Sequence, residues 1–122
     1  MKIAEVSERV SLSIYTIRYY EKAGLLPKIE RGSDGHRRFS QNDLDWLVLL
    51  ASLRETGMPM KQMKHFAALY QLGDATVRER RGILSEHQVI LEETEARLQK
   101  CKTLLSYKIG RYDQILGANE CA

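Results

Sequence analysis

Thr16 to Pro27 reads TIRYYEKAGLLP, and the fold turns on how that stretch is placed. Ile14 and Ile17 set a helical spacing that Glu21 continues, and Ser13 stands where an N-cap belongs. Ala23-Gly24 is a helix stop, and Leu25-Leu26-Pro27 leads away extended. A short helix is therefore predicted, carrying one arginine and two adjacent tyrosines. Consecutive helical residues point about 100° apart, so Tyr19 and Tyr20 cannot both face a core. With Ile14, Ile17 and Glu21 inward, Tyr15, Thr16 and Tyr19 fall on the outward face, bordered by Arg18 and Tyr20.

On the N-terminal side, Ile3, Val6 and Val10 recur at helical spacing before Ser11-Leu12-Ser13 interrupts, which predicts helix, tight turn, helix. On the other side, Ile29-Glu30-Arg31 and His36-Arg37-Arg38-Phe39 flank Gly32-Ser33-Asp34-Gly35, turn chemistry between two short strands. Ser40 with Asp43 forms a capping pattern for a third helix that stops at Thr56-Gly57. Its interior, LDWLVLLASL, sets Leu44, Leu47, Val48 and Ala51 on one side and Trp46, Leu50 and Leu53 on another. Burial on two sides is expected of it, against its own domain and against something else. Pro59 opens a fourth helix with Met60, Met63, Phe66, Ala67 and Tyr70 on one face, and Gly73-Asp74 closes it. At helical spacing Met58, Met60 and Met63 read as core rather than as a soft metal site.

From Thr76 to about Leu116 a last helix is predicted, with Val77, Leu84, Leu91, Leu98, Leu105 and Tyr112 each seven residues apart. His87, Thr94 and Cys101 occupy the accompanying d sites, and Ile83, Ile90 and Leu104 widen the apolar face. Some forty residues of helix would span about 60 Å, and such a helix is poorly stable alone. Self-association through Leu84, Leu91, Leu98 and Leu105 is expected.

The 122 residues, 43% hydrophobic and 29% charged, fit one small globular unit plus that helix. No apolar run nears the roughly 20 residues of a membrane span, and Met1 leads directly into a charged amphipathic segment, so a cytoplasmic protein with no membrane partner is expected. Cys101 and Cys121 make neither a disulfide framework nor a CxxC metal pair. His36, His65 and His87 are scattered, with no nucleophile and base at working spacing and no phosphate-cradling glycine loop, so an enzyme is not expected, nor a cofactor. Residues 1–40 hold eight Lys and Arg against five acids, whereas the rest holds eleven of each. All the excess positive charge lies where an anionic partner meets the first third of the chain.

That partner is read as double-stranded DNA. A helix in the major groove needs base-reading side chains on its outward face and cations or phenols at its borders for phosphates, as Tyr15, Thr16, Arg18, Tyr19 and Tyr20 supply. Arg37 and Arg38, beside a turn of small residues, suit a wing along the sugar-phosphate backbone.

IAEVS, TIRYYEKAGLLP, the GHRRF after the turn and the long terminal helix resemble the MerR family of winged helix-turn-helix transcription regulators, over the whole chain. The resemblance implies a mainly α fold: a winged helix-turn-helix DNA-binding domain with a two-stranded wing over residues 1–73, a dimerisation helix over 74–117 and a tail over 118–122. It implies a homodimer joined by an antiparallel coiled coil, with each DNA-binding unit packed on its partner's helix, which would explain the two-sided third helix. Positions matching Arg18, Tyr19, Tyr20 and Arg37 approach DNA in that family, and Lys61 matches a lysine that touches phosphate. Family promoters place an overlong spacer between two RNA polymerase contact elements, and two surplus pairs rotate one element by about 70°. The dimer bends and untwists a palindrome within that spacer. The alternative function is an architectural, recombination-accessory DNA binder, which the heptad column disfavours.

Length and linker further resemble the short members that respond to aldehydes and other electrophiles through a cysteine in the third helix. Here that position reads Ser52, a far poorer nucleophile than a thiolate. Cys101 is the remaining candidate redox sensor, against the plainer reading of an inert buried thiol. Metal-sensing members carry cysteines or serine where this chain has Asp74-Ala75-Thr76-Val77 and, near the end, Cys121 alone, so no metal is expected. A small-molecule effector would have to sit between the long helix and the DNA-binding unit.

Overall fold

The structure, a computed structural model, describes residues 1–121, with side chains through Asn119; the thiol of Cys121 and the end of the expected tail lie outside the described residues. Two compact units are present, Met1–Leu84 and a second from Ser85 onward. The first contains α1 (Ile3–Val10), α2 (Ile14–Lys22), β1 (Glu30–Arg31), β2 (Arg37–Arg38), α3 (Gln41–Glu55) and α4 (Met60–Gln71), with a 3-10 turn at Asp74–Thr76. The fifth helix, α5 (Val77–Cys121), begins in the first unit and makes up the second.

Local chemistry explains the boundaries. Ser11 closes α1 in the left-handed conformation, and the Ser7 hydroxyl donates to the Leu12 carbonyl at 2.5 Å across the tight turn. Ser13 then caps α2, its Oγ accepting from the Thr16 N–H at 3.0 Å. Gly24, at φ +82°, ends α2 in a Schellman closure: Leu25 N–H reaches back to the Tyr20 carbonyl at 2.9 Å and Gly24 N–H to Glu21 at 3.2 Å. The end of α3 repeats this arrangement, with Met58 N–H on Leu53 and Gly57 N–H on Arg54. Its start is a full capping box between Ser40 and Asp43.

The core joins Val6, Ile17, Tyr20, Leu25, Leu47, Leu50, Met58, Met63 and Phe66. Trp46 stacks with both Phe66 (5.4 Å between centroids, 8°) and Tyr70 (4.1 Å, 17°), and its indole N–H donates to the Leu25 carbonyl at 2.7 Å. The chain leaving α2 is thereby fixed to α3. Arg80 lies over the Tyr70 ring, 5.2 Å from its centroid, and donates to Thr76 and to the Gly73 carbonyl, which ties the first turns of α5 to α4.

Three expectations change. The two sides of α3 expected to meet separate surfaces are mostly buried together in one core: Leu44, Trp46, Leu47, Leu50 and Leu53 are all covered, leaving Val48 as the exposed apolar residue. In α2, Tyr20 points inward beside Ile17, while Glu21 is only half-buried. The last helix starts at Val77, after the 3-10 turn, and continues past Leu116 to Cys121. Gly117 costs a helix only about 1 kcal/mol, too little to stop one without a proline or cap behind it.

Candidate nucleic-acid interface

The wing is a two-stranded antiparallel ribbon in which Arg31 pairs with Arg37 and Glu30 with Arg38. Side chains alternate across a strand, so paired residues share a face. Arg31 and Arg37 therefore occupy one face of the wing, and Glu30 and Arg38 the other. The turn between them is closed by Gly32 N–H on the His36 carbonyl (2.9 Å) and Gly35 N–H on Gly32 (3.0 Å), with Gly35 at φ +80°. Asp34 accepts the His36 backbone N–H at 3.0 Å, which, with help from Arg38, His36 and Lys2, holds its carboxyl below the usual range.

Arg37 lies toward α2, where its Nε donates to Glu21 at 2.6 Å in a half-buried ion pair. A second tie comes from the chain before α1: Phe39 N–H donates to the Met1 carbonyl at 2.7 Å, and the Met1 amine donates back to the Phe39 carbonyl at 2.9 Å. The start of α1, the exposed side of α2 and one face of the wing consequently meet around a cleft of about 200 Å³. Its lining is Lys2, Ile3, Ala4, Arg18, Arg31, His36 and Arg37. Glu21 is engaged by Arg37, and Asp34 by Arg38 at 3.5 Å, so the cleft presents a net excess of cations.

Of the residues singled out from sequence, Arg18 and Arg37 come together at this cleft. Tyr15 (80% exposed) and Tyr19 (46%) stand free on α2. Thr16 is half-buried, with its hydroxyl 2.8 Å from Ser13 Oγ in the cap. Tyr20 is 5% exposed and belongs to the core, its ring 6.2 Å from that of Tyr19; burial pushes its phenol above the usual value, Arg54 opposing and Tyr19 adding. Arg38 is exposed on the opposite wing face, and Lys61 is exposed in the first turn of α4, outside the cleft lining. Lys2, Arg31 and His36 were not anticipated. Strand alternation from a correct register would have paired Arg31 with Arg37, but Lys2 is brought in by a bond spanning 38 residues of sequence.

On α5, Leu84 is half-buried against the core of the first unit together with Ile83. Leu91 is half-buried, while Leu98 (58%) and Leu105 (61%) are exposed, as is Cys101. His87 is buried. Among the described residues no helix is long and apolar enough to cross a membrane.

Residues 1–69 match the model of the MerR HTH family of regulatory proteins. An uncharacterised HTH-type transcriptional regulator of Haemophilus influenzae is 39% identical over 111 residues, 91% of this chain and 82% of that protein. The HTH-type transcriptional regulator AdhR of Bacillus subtilis is 32% identical over 76% of this chain and 66% of its own length. Among solved structures, HiNmlR, a MerR family regulator lacking the sensor domain and bound to promoter DNA, superposes with a TM-score of 0.84 at 38% identity, covering 93% of this chain and 90% of its own. Winged unit, long terminal helix and sequence agree: the chain belongs to the MerR family of helix-turn-helix transcriptional regulators.

Proposed function

We propose that the protein works in the cytoplasm as a homodimer on a palindromic promoter element, bending and untwisting a spacer so that RNA polymerase engages both of its contact elements. The observation that carries this reading is the exposed side of α2: Tyr15 and Tyr19 stand free for base edges and sugars, and Arg18 lines a cationic cleft for the adjoining backbone. Dimerisation supplies two such faces, and a two-fold protein reads a palindrome. The exposed leucines of α5 support a partner helix there. Deforming the spacer would cost on the order of a few kcal/mol, drawn from backbone contacts on both half-sites.

Selecting duplexes from genomic DNA with the purified protein, footprinting them and measuring the bend by circular permutation tests the proposal. The expected outcome is a protected palindrome inside a promoter spacer, a bend, and transcription that becomes independent of the protein when two base pairs are removed from that spacer. Sites outside promoters, bent but without effect on transcription, would favour an architectural role instead.

A further inference from the structure

Lys2 before α1, Arg18 on α2, and Arg31 and Arg37 on one wing face set four permanent cations around one small cleft, with the His36 imidazole beside them. Like charges around one cleft repel, and the nearby carboxylates offset them only in part: Asp34 is occupied mainly by Arg38 and the His36 N–H, and Glu21 balances Arg37 through its Nε alone. A guanidinium has five N–H donors, so the terminal nitrogens of Arg37 remain for another acceptor. Ile3 and Ala4 also line the cleft, and no side-chain cap engages the first-turn donors of α1. The space would hold several waters at about 30 Å³ each, enough for a phosphate group and too little for a base pair.

We propose that this cleft seats one backbone phosphate of the bound duplex, with Lys2 and Arg31 completing a clamp begun by Arg18 and Arg37, and Glu21 setting the angle of Arg37. The inference rests on reading this face as the DNA surface. It adds that the start of α1 and strand β1 of the wing act on the same phosphate rather than on separate ones. Arg18 connects the seat to the base-reading side of α2, so the clamp would fix the depth and tilt of that helix in the groove.

The test uses the full chain and a duplex that it selects from random-sequence DNA. Affinity is measured from about 50 to 200 mM salt for the parent, Lys2→Ala, Arg31→Ala, the double variant, and Lys64→Ala as an exposed control on α4, all checked by thermal melting. Each cleft substitution should weaken binding by about three- to tenfold on selected and unrelated duplexes alike, with the control near parent. Because both cations serve one phosphate, the double variant should lower the slope of log affinity against log salt by no more than about 0.9 per half-site. A methylphosphonate scan should find one position per half-site where the double variant, which keeps Arg18 and Arg37, loses clearly less affinity than the parent. Parent-like affinity in both single variants overturns the seat while leaving DNA binding intact, as do two separate sensitive positions. If no duplex is selected, the DNA reading itself fails. Pyrophosphate at constant ionic strength that shifts the Ile3 and Ala4 amide resonances, with no methylphosphonate effect, would reassign the cleft to a small phosphorylated ligand and overturn the duplex assignment.

Discussion

Tyr19 and Tyr20 are neighbours in sequence with opposite roles, and the cause is the end of α2. Closing the helix through Leu25 N–H on the Tyr20 carbonyl brings Tyr20 and Leu25 together, both buried, whereas Tyr19, about 100° away, stays 46% exposed. Tyr20→Ala should therefore destabilise the unit by about 3–5 kcal/mol in urea unfolding, as loss of a buried aromatic does. Tyr20→Phe keeps the ring and should cost under about 1.5 kcal/mol. A fall in DNA affinity in Tyr20→Phe without loss of stability would show that the hydroxyl, and not the ring, reaches the duplex. The raised phenol also sets a pH dependence. Its folded value lies above the ordinary 10.0, so the contribution is fully present below pH 10 and is lost as pH rises through the folded value. Unfolding followed into that alkaline window should show a shallower loss in Tyr20→Phe than in the parent; identical curves would mean the phenol is not buried in solution.

At the scale of elements, the helices were legible because their ends are written in short-range chemistry. Ser13, the Ser40 and Asp43 pair, Gly24 and Gly57 each satisfy backbone groups within a few residues of themselves, and such signals survive in sequence. Gly24→Ala tests this: an added Cβ meets nothing within 4 Å, yet φ +82° disfavours it, so a loss of about 1–2 kcal/mol is expected from backbone strain alone. What was not legible depends on distant pairing. That Arg37 and Arg38 face opposite ways follows from the wing register, and the site gains Lys2 only through the Met1 and Phe39 bonds. The two faces expected of α3 merged because Leu25 and Phe66 close over Trp46, contacts that helical periodicity within α3 does not contain. Glu21 anchors the wing in the same long-range way. Glu21→Ala should leave the helices folded, speed hydrogen exchange at the Gly32 and Phe39 amides, and weaken DNA binding by several-fold, with Glu21→Gln intermediate because it still accepts a hydrogen bond. Unchanged wing exchange in Glu21→Ala would mean that the Met1 and Phe39 ladder holds the wing unaided.

Across the whole molecule the unfinished surface is α5. Leu98, Leu104, Leu105, Ile109, Tyr112 and Leu116 are all about half exposed or more, a density of bare apolar side chains that a lone helix in water does not sustain. Leu84, expected at the same seam, is already half-buried against its own winged unit, which leaves Leu91, Leu98 and Leu105 as the column available to a partner. Leu91→Asp combined with Leu98→Asp would place carboxylates in that seam, and burying them unpaired costs more than the seam returns. Sedimentation should show the parent as a dimer and the double variant as a monomer whose winged unit still melts cooperatively, with DNA affinity reduced at least a hundredfold through loss of the second half-site, on the order of the effect of unlinking two binding modules. Cys101 gives an independent reading, since it is exposed in the single chain and occupies a d site of the heptad column. Alkylation should be slow in the parent and approach the rate of an unfolded control in the double variant. Fast alkylation in an intact dimer would instead place Cys101 outside the seam and reopen it as a thiol sensor, to be judged by whether Cys101→Ser abolishes an electrophile response. An intact dimer in the double variant would move the interface off this column altogether, and Val48, the exposed apolar residue on α3, is the next surface to substitute.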